Sequence, residues 1–411
     1  MDEALRELLE RAVAGTARTG PLALVALGGY GRGELCPRSD VDLMVLHGER
    51  RPERVRVVAE RVFYPLWDAG IALGHAVRTV KQAAAEAEAG VETATALLEA
   101  RHLAGEPALV EQLHTALAAT LGADRAGFLE RVAAADAERH VRFGSAAHLM
   151  EPDVKECAGG LRDVHSVGWA ARAIGLPGPE ALEAEGLLRQ AEREALEAGE
   201  EFLVRVRSAL HLEAGRRSDR LVLDLQPRLA DAFGFGATGG LDAPDALMRA
   251  LFDHARHVEH VRALAFERAR AGVAVRGAEE TIAPPLVAGP EGVMAAFAEW
   301  AEGRPAPAPT TLDALEETPF EDGSPWSAAT LDAFLRILRA GGAGARALEG
   351  MDRVGLLSRF LPEWADVRCR PQRDPYHTFT VDVHLTRTVA EAAALLAGRS
   401  EDPAVRAAAA A

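Results

Sequence analysis

The stretch that decides the fold is GGYGRGELCPRSDVDLMVL, residues 28–46, in which a glycine-rich turn leads into an acidic strand. The apolar run before it, residues 21–27, has the length and composition of a buried strand. The glycine spacing does not match the dinucleotide fingerprint G-x-G-x-x-G, and the stretch lacks the lysine of a P-loop. The sequence therefore predicts a phosphate-binding turn of a third kind between two strands.

Asp40 and Asp42 are separated by one residue at the start of the second predicted strand, residues 40–46. Side chains at i and i+2 of a strand share a face, so the carboxylates are expected on one side, with Cα atoms about 6.6 Å apart. Such carboxylates repel each other unless a cation lies between them, and Mg²⁺ prefers a few carboxylate oxygens together with phosphate oxygens. The pair predicts a site for Mg²⁺ or Mn²⁺; two solvated residues at a strand edge are the alternative interpretation.

The pattern around these strands predicts a small mixed sheet with helices, followed by mostly helical domains. The elements expected after residue 46 are helices at 51–69 and 80–90, a strand at 71–79, and a strand or helix at 94–105. Residues 136–275 read as nearly all helical, and residues 302–326, rich in proline and acidic residues, as a linker or exposed loop. A further helical region begins near residue 328, and the chain stops inside a predicted helix.

Composition limits the partners and the compartment. The net charge of -16 argues against coating nucleic acid, because phosphate backbones are bound by surplus Lys and Arg. Cys36, Cys157 and Cys369 lie far apart, which favours a reducing compartment without a disulfide framework or a usual zinc site. No long uncharged apolar run is present, and the charged N-terminal helix is unlike a signal peptide. We therefore expect a cytoplasmic protein with neither membrane nor nucleic acid as partner.

The spacing Gly-Gly, ten residues, then Asp-hydrophobic-Asp-hydrophobic resembles the signature of the nucleotidyltransferase β superfamily. This resemblance implies that Gly28 and Gly29, together with Ser39, contact the triphosphate. It also implies that Asp40 and Asp42 bind metal. The superfamily usually supplies a third carboxylate from a later strand, and the candidates in this sequence are Glu99 first, then Glu92 and Asp68.

A second stretch narrows the family. Residues 149–172, LMEPDVKECAGGLRDVHSVGWAAR, closely resemble the Glu-Pro-x-x-Lys-x-x-x-Gly-Gly-Leu-Arg-Asp segment of the PII uridylyltransferase/uridylyl-removing enzymes. Similar segments occur in the same order at residues 74–79, 97–105, 204–226 and 374–389, so that the resemblance covers essentially the whole chain. Lys155, Arg162 and the Gly159-Gly160 turn between them are expected to contact nucleotide, with Asp163 orienting Arg162. The alternative is a helix junction in which the glycines serve packing and Arg162 forms a structural ion pair with Asp163.

The resemblance implies the reaction. In that family a tyrosine of the PII nitrogen-signalling protein attacks the α-phosphorus of UTP, and pyrophosphate leaves. Three alternatives stay open: an adenylyltransferase that uses ATP on PII, a nucleotidyltransferase with another acceptor, and a nucleotide-binding regulatory protein without turnover. Nothing in the sequence distinguishes a uracil pocket from an adenine pocket.

The resemblance also implies the domain order. The expected domains are a nucleotidyltransferase domain at residues 1–135, a helical domain at 136–275, a helical and linker region at 276–338, and the start of a truncated HD domain at 339–411. His384 matches the first metal ligand of the HD site, whose later His-Asp pair is not in this sequence. We therefore expect the N-terminal portion of a longer protein, without hydrolase activity and with glutamine sensing left to absent C-terminal domains.

Overall fold

The computed structural model describes residues 1–14, 20–48, 52–275, 289–307, 309–373 and 379–398. A four-stranded mixed sheet lies near the N-terminus, with the order β3-β2-β1-β4. Its strands are β1 Leu22–Ala26, β2 Val41–His47, β3 Leu73–Arg78 and β4 Arg101–Gly105. The β2–β3 pair is parallel, whereas β1 is antiparallel to both β2 and β4. The predicted fold class, a small mixed sheet with helices followed by helical domains, is confirmed.

The helices around the sheet follow the predicted pattern closely. They are α1 Asp2–Ala14, α2 Gly28–Arg32, α3 Pro52–Asp68, α4 Val80–Ala89, α5 Val91–Leu98 and α6 Pro107–Ala123. Residues 94–105, which the sequence left as strand or helix, contain both, because α5 ends at Leu98 and β4 begins at Arg101.

The two faces of β2 carry different neighbours. Val41, Leu43 and Val45 are buried in a core with α1 and α3, as the strand alternation predicts. Met44 and Leu46 point the other way, into a core that continues through the helices after residue 123. Asp42 shares the parity of Met44, so its side chain lies on the face that the helical region covers.

The second region is helical as expected, and no gap in the core separates it from the first. Its elements are α7 Arg125–Phe143, α8 Leu161–Ala173, α9 Pro179–Ala184, α10 Gln190–Ala214, a short 3-10 turn Leu223–Leu225, α11 Gln226–Phe233 and α12 Ala243–Val275. The boundary predicted after residue 135 falls inside α7. Since Val132 of α7 packs in the same core as Met44, the sheet and the helical region share one hydrophobic interior.

The third region has its own core. Its helices are α13 Gly289–Ala301, α14 Pro309–Glu316, α15 Ala328–Arg339, α16 Gly342–Arg353, α17 Leu356–Phe360, α18 Trp364–Val367 and α19 Val381–Leu396. The boundary predicted after residue 338 falls inside α15, and Ile337 of α15 packs with Met351 of α16. The interpretation of residues 302–326 as a plain linker is wrong, since α14 lies within them and buries Leu315.

Two further expectations concern the C-terminal helix and membrane-spanning helices. The helix predicted at the C-terminal end of the sequence lies outside the described residues. Within the ranges given above, no helix combines the length and the apolar character required to cross a bilayer.

Candidate functional site

The Asp42 carboxylate is packed between two glycines. Gly28 begins α2 directly after β1 with φ +51°, and a Cβ atom there would lie 3.2 Å from Oδ2 of Asp42. On the other side Gly74 of β3 pairs in register with Asp42, and a Cβ atom there would lie 2.0 Å from Oδ1. The structure thus brings Gly28 to Asp42 as predicted. The role of Gly74 was missed, because strand register decides it.

Asp40 lies immediately before β2 and is exposed. Its Oδ2 accepts a hydrogen bond from Nη1 of Arg217 at 3.2 Å. Arg217 comes from the polar turn after α10, and no spacing in the sequence signals this long-range contact. Burial, and then the neighbouring charge of Asp40, raise the pKa of Asp42, while Lys155 and Arg217 partly offset the rise. The two carboxylates therefore form a site that positive charge stabilises.

A cavity of about 580 Å³ opens in front of this pair, between the glycine turn and the helical region. The predicted site residues that line it are Gly28, Gly29, Ser39, Asp40, Asp42, Lys155 and Arg162. The Oγ atom of Ser39 is buried and, in the described part of the chain, has no hydrogen-bond partner. Such a hydroxyl is available to a ligand in the cavity.

Six cationic side chains, called the basic wall below, line the cavity, and the carboxylates of Glu34, Glu92, Asp136, Glu138 and Glu156 line it with them. The cationic side chains along the cavity are Arg32, Arg139, Arg142, Lys155, Arg162 and Arg207. Burial, and then the neighbouring Arg162, lower the pKa of Lys155. Crowded cations of this kind match the charge of a polyphosphate. Of the wall, sequence reasoning found Lys155 and Arg162; Arg32 lies in the opening motif and was overlooked.

Asp163 holds a different arginine from the one expected. Its Oδ1 accepts hydrogen bonds from Arg139 at 2.5 Å and from Nε2 of His140 at 2.8 Å. Arg162 instead lies with its guanidinium 5.7 Å from the ring centre of Trp169 and 3.7 Å from Glu156. The expectation that Asp163 orients Arg162 is therefore corrected: Asp163 positions Arg139, because Arg139 approaches from α7 on the buried side of α8.

Gly159 and Gly160 do not line the cavity as the described residues define it. Gly159 has φ +75°, and a Cβ atom there would lie 2.4 Å from the carbonyl oxygen of Ala255 in α12. At Gly160 a Cβ atom would lie 2.9 Å from the carbonyl oxygen of Lys155. Their geometry matches the packing alternative, in which the turn lets α8 approach α12, rather than contact with nucleotide.

Glu99, the first candidate for the third carboxylate, is turned away from the aspartate pair. Its Oε1 accepts a hydrogen bond from Nε1 of Trp169 at 2.8 Å, and its Oε2 lies 3.9 Å from Arg172. Glu99 is absent from the cavity lining, as is Asp68, whereas Glu92 lines the cavity. Among the described residues, Asp40, Asp42 and Glu99 do not bring their oxygens within 4.8 Å of one another. The expected ligand role of Glu99 therefore has no support in this geometry.

His384 lies exposed near the start of α19. The preceding segment at residues 374–378, part of the stretch that resembles an HD domain, lies outside the described residues. Its role as first ligand of an HD site stays a prediction. Cys157 is buried, and burial raises its pKa to about 11, which agrees with the absence of any activating group in the sequence around it.

The fold and this cavity define the class: an α+β nucleotidyltransferase-like domain whose acidic pair faces a basic helical wall. Residues 127–266 match the family model described as GlnD PII-uridylyltransferase. This match confirms, for these residues, the resemblance to the PII uridylyltransferase/uridylyl-removing enzymes.

Curated relatives extend the similarity over most of the chain. A bifunctional uridylyltransferase/uridylyl-removing enzyme of Streptomyces coelicolor is 36% identical over an aligned length of 429 positions, which covers 95% of this chain and 49% of the relative. The enzyme of the same name from Thiobacillus denitrificans is 34% identical, over 94% of this chain and 47% of the relative. The enzyme of the same name from Burkholderia lata is 34% identical, over 89% of this chain and 45% of the relative. The chain spans about half the length of the curated relatives it matches.

Proposed function

We propose that this protein transfers a nucleotidyl group, UMP from UTP, to a tyrosine of the PII nitrogen-signalling protein and releases pyrophosphate. The observation that carries the proposal is the cavity in which Asp40 and Asp42 face a basic wall. An acidic pair for a metal ion and several cations in one cavity suit a nucleoside triphosphate held at its phosphates. The names of the relatives support the uridylyl group, and the description of the matching family model supports PII as acceptor.

Mg²⁺ or Mn²⁺ fits the donor set of the acidic pair. Asp40 and Asp42 would hold the ion, because both offer hard oxygen ligands. The raised pKa of Asp42 and the guanidinium of Arg217 on Asp40 both indicate that the pair favours a nearby cation. When bound, a divalent ion of this kind supplies neutralisation of charge on the phosphate oxygens and on the departing pyrophosphate.

The protein's own groups would position the substrates. The N–H groups of the turn at Gly28 and Gly29 and the hydroxyl of Ser39 would hold the triphosphate, and the basic wall would bind its outer charges. This positioning leaves the α-phosphorus open to in-line attack by the acceptor hydroxyl. A tyrosine hydroxyl has a pKa near 10, so a carboxylate near the acidic pair has to help remove its proton. Glu92 is the candidate that lines the cavity.

The proposal also covers the location of the protein, its further activities and its nucleotide. Three buried cysteines, none of them in a disulfide, support a cytoplasmic location. The uridylyl-removing activity in the relatives' names is not proposed for this chain, and neither is glutamine sensing. ATP remains the alternative nucleotide, because no described contact selects a base.

The test is the intact mass of a cognate PII protein after incubation with this chain, Mg²⁺ and either UTP or ATP. A gain of one uridylyl group per PII subunit is expected with UTP, and no gain with Asp42→Asn in the same assay. A gain of an adenylyl group keeps the mechanism and replaces the base. If neither nucleotide modifies PII while both bind the chain, the transfer proposal is wrong for this chain. The alternative, a nucleotide-binding regulatory protein without turnover, then replaces it.

A further inference from the structure

A second cluster of possible metal ligands lies beside the basic wall, and two of its members, Glu34 and His165, line the same cavity. Glu34 follows the glycine turn, His165 lies on α8 and Glu200 lies on α10. One ligand atom from each lies within 4.8 Å of the others, and within the described ranges no other group of three His, Cys, Asp or Glu side chains does so. Three separate elements thus converge on one point that the proposed transfer reaction does not use.

The hydrogen bonds of this cluster leave one nitrogen unsatisfied. Nε2 of His165 lies 2.8 Å from Oε2 of Glu34, and Glu200 is hydrogen-bonded to Glu34 as well. His165 is 6% exposed, and its Nδ1 atom is buried with no hydrogen-bond partner. The nitrogen that faces the carboxylates is Nε2, and it forms with Glu34 and Glu200 a set of donor atoms that a bound ion would hold together in place of these hydrogen bonds.

The protonation states agree with a site for a cation. Burial, and then the nearby Arg32, lower the pKa of His165 to about 4, so its ring is neutral at pH 7 and keeps a lone pair. Burial, and then the charge of Glu34, raise the pKa of Glu200. Burial raises the pKa of Glu34 as well, but the hydrogen bond from His165 and the charge of Arg32 lower it to about 2, so the proton that a divalent ion would replace lies on Glu200.

We propose that Glu34, His165 and Glu200 form a second divalent-cation site, separate from Asp40 and Asp42, which takes a transition metal of the Zn²⁺ type. One imidazole nitrogen with two carboxylate oxygens suits Zn²⁺ better than Mg²⁺, because Mg²⁺ prefers oxygen ligands only.

The surrounding charges are compatible with this ion. Arg32 donates from Nε to Oε1 of Glu34 at 2.9 Å, while Oε2 holds the hydrogen bond with His165 that a metal would replace. Arg162 also faces the cluster and opposes a cation, whereas Glu197 on α10 adds negative charge.

The site would connect the glycine turn to the helical region. The backbone N–H of Glu34 donates to the carbonyl oxygen of Gly29 at 2.8 Å, so a metal bound at Glu34 also restrains that turn. The ion would thereby join the turn to α8 and α10, the helices that carry Arg162 and Arg207 of the wall. Its binding does not depend on whether the chain transfers nucleotides.

The experiment measures Zn²⁺ binding to the metal-free chain by equilibrium dialysis, with no nucleotide present. The parent protein carries Asp40→Asn and Asp42→Asn, which remove the other site. One Zn²⁺ per chain is expected, and the affinity should fall about 10–100-fold when His165→Gln or Glu200→Gln is added. His257→Ala removes a half-exposed histidine elsewhere and should leave binding unchanged.

Two further measurements, Co²⁺ absorption and melting temperature, test the same metal ligands. Co²⁺ in place of Zn²⁺ should give visible d–d absorption that His165→Gln abolishes, and Zn²⁺ should raise the melting temperature of the parent protein but not of Glu200→Gln. Circular dichroism shows whether each variant is folded; if His165→Gln is not, Glu200→Gln decides. No Zn²⁺ binding by the parent protein, or binding of equal strength in a folded ligand variant, overturns the proposal.

Discussion

Gly74 of β3 lies directly beside Asp42 of β2, and a methyl group on Gly74 would come within 2.0 Å of Oδ1 of Asp42. Parallel register between β2 and β3 produces this contact, which places a residue without a side chain next to the acidic pair. The carboxylate can occupy its present position only because position 74 is glycine.

Gly74→Ala is expected to push the Asp42 carboxylate out of place. Transfer to PII should fall more than about tenfold, because a displacement of about 1 Å at a positioned group already has large effects. The matched control is Gly168→Ala in α8, where a Cβ atom would have no neighbour within 4 Å. That change should leave transfer intact and raise stability by about 0.5–1 kcal/mol. Equal activity in the two variants would contradict the steric argument.

Asp42→Asn should separate function from stability. The raised pKa of Asp42 means that its ionised form is disfavoured in the folded state, so the charge lowers stability at pH values above that pKa. Without divalent metal, the melting temperature of Asp42→Asn at pH 7 should therefore equal or exceed that of the unchanged protein. Transfer should fall more than about a hundredfold. A clearly lower melting temperature would show that the carboxylate is a structural element.

Arg217→Ala should make the acidic pair more accessible to metal. Arg217 occupies Oδ2 of Asp40 in an exposed ion pair, and such pairs contribute about 0.2–1 kcal/mol, which corresponds to up to about a fivefold change in affinity. We expect Mn²⁺ to bind up to about fivefold more tightly in the absence of nucleotide, as measured by titration followed by electron paramagnetic resonance. Arg220→Ala is the control, since Arg220 pairs with Glu151 instead. Weaker Mn²⁺ binding in Arg217→Ala alone would reverse this interpretation.

Glu92→Gln and Glu99→Gln distinguish the candidates for the third carboxylate. Glu92 lines the cavity, whereas Glu99 is engaged by Trp169 and Arg172. Glu92→Gln should lower kcat for transfer and weaken its dependence on metal concentration. Glu99→Gln keeps an acceptor for Trp169 and should change kcat little. The opposite order of effects would restore Glu99 to the role that the resemblance implies.

Asp163→Asn should reduce stability in a way that depends on pH. Burial raises the pKa of Asp163, but hydrogen bonding from His140 and the charge of Arg139 lower it below the ordinary value of 3.8. Its contribution is therefore present above pH 3.8 and is lost as pH falls through the folded-state pKa. At pH 7 the loss in unfolding free energy should be about 3 kcal/mol, because Arg139 loses a buried partner.

Urea unfolding of both proteins at pH 7 and near pH 3 checks this expectation. The difference in unfolding free energy between them should shrink at the lower pH, because below pH 3.8 the unfolded chain binds a proton at this carboxyl more readily than the native protein does. A difference that stays constant across this range would assign the effect to packing.

The local elements were predictable because their signals are local. Apolar runs bounded by glycines located β1 and β2, and helical periodicity located α3 and α4 within a few residues. The Asp40–Asp42 pair and its glycine turn followed from spacing alone. The boundaries at residues 135 and 338 fell inside helices, because composition does not show where one hydrophobic core continues into the next.

The sequence by itself determined the fold class, the acidic pair and the family resemblance, since each depends on residues near one another in the chain. Only the tertiary structure decided which charges meet. In the folded protein Arg217 donates a hydrogen bond to Asp40, and Arg139 donates one to Asp163. Trp169 likewise donates a hydrogen bond to Glu99. These partners come from elements 24 to 177 residues apart, and their pairing depends on how α8 and α10 pack against the sheet. No periodicity or spacing in the chain encodes that packing directly.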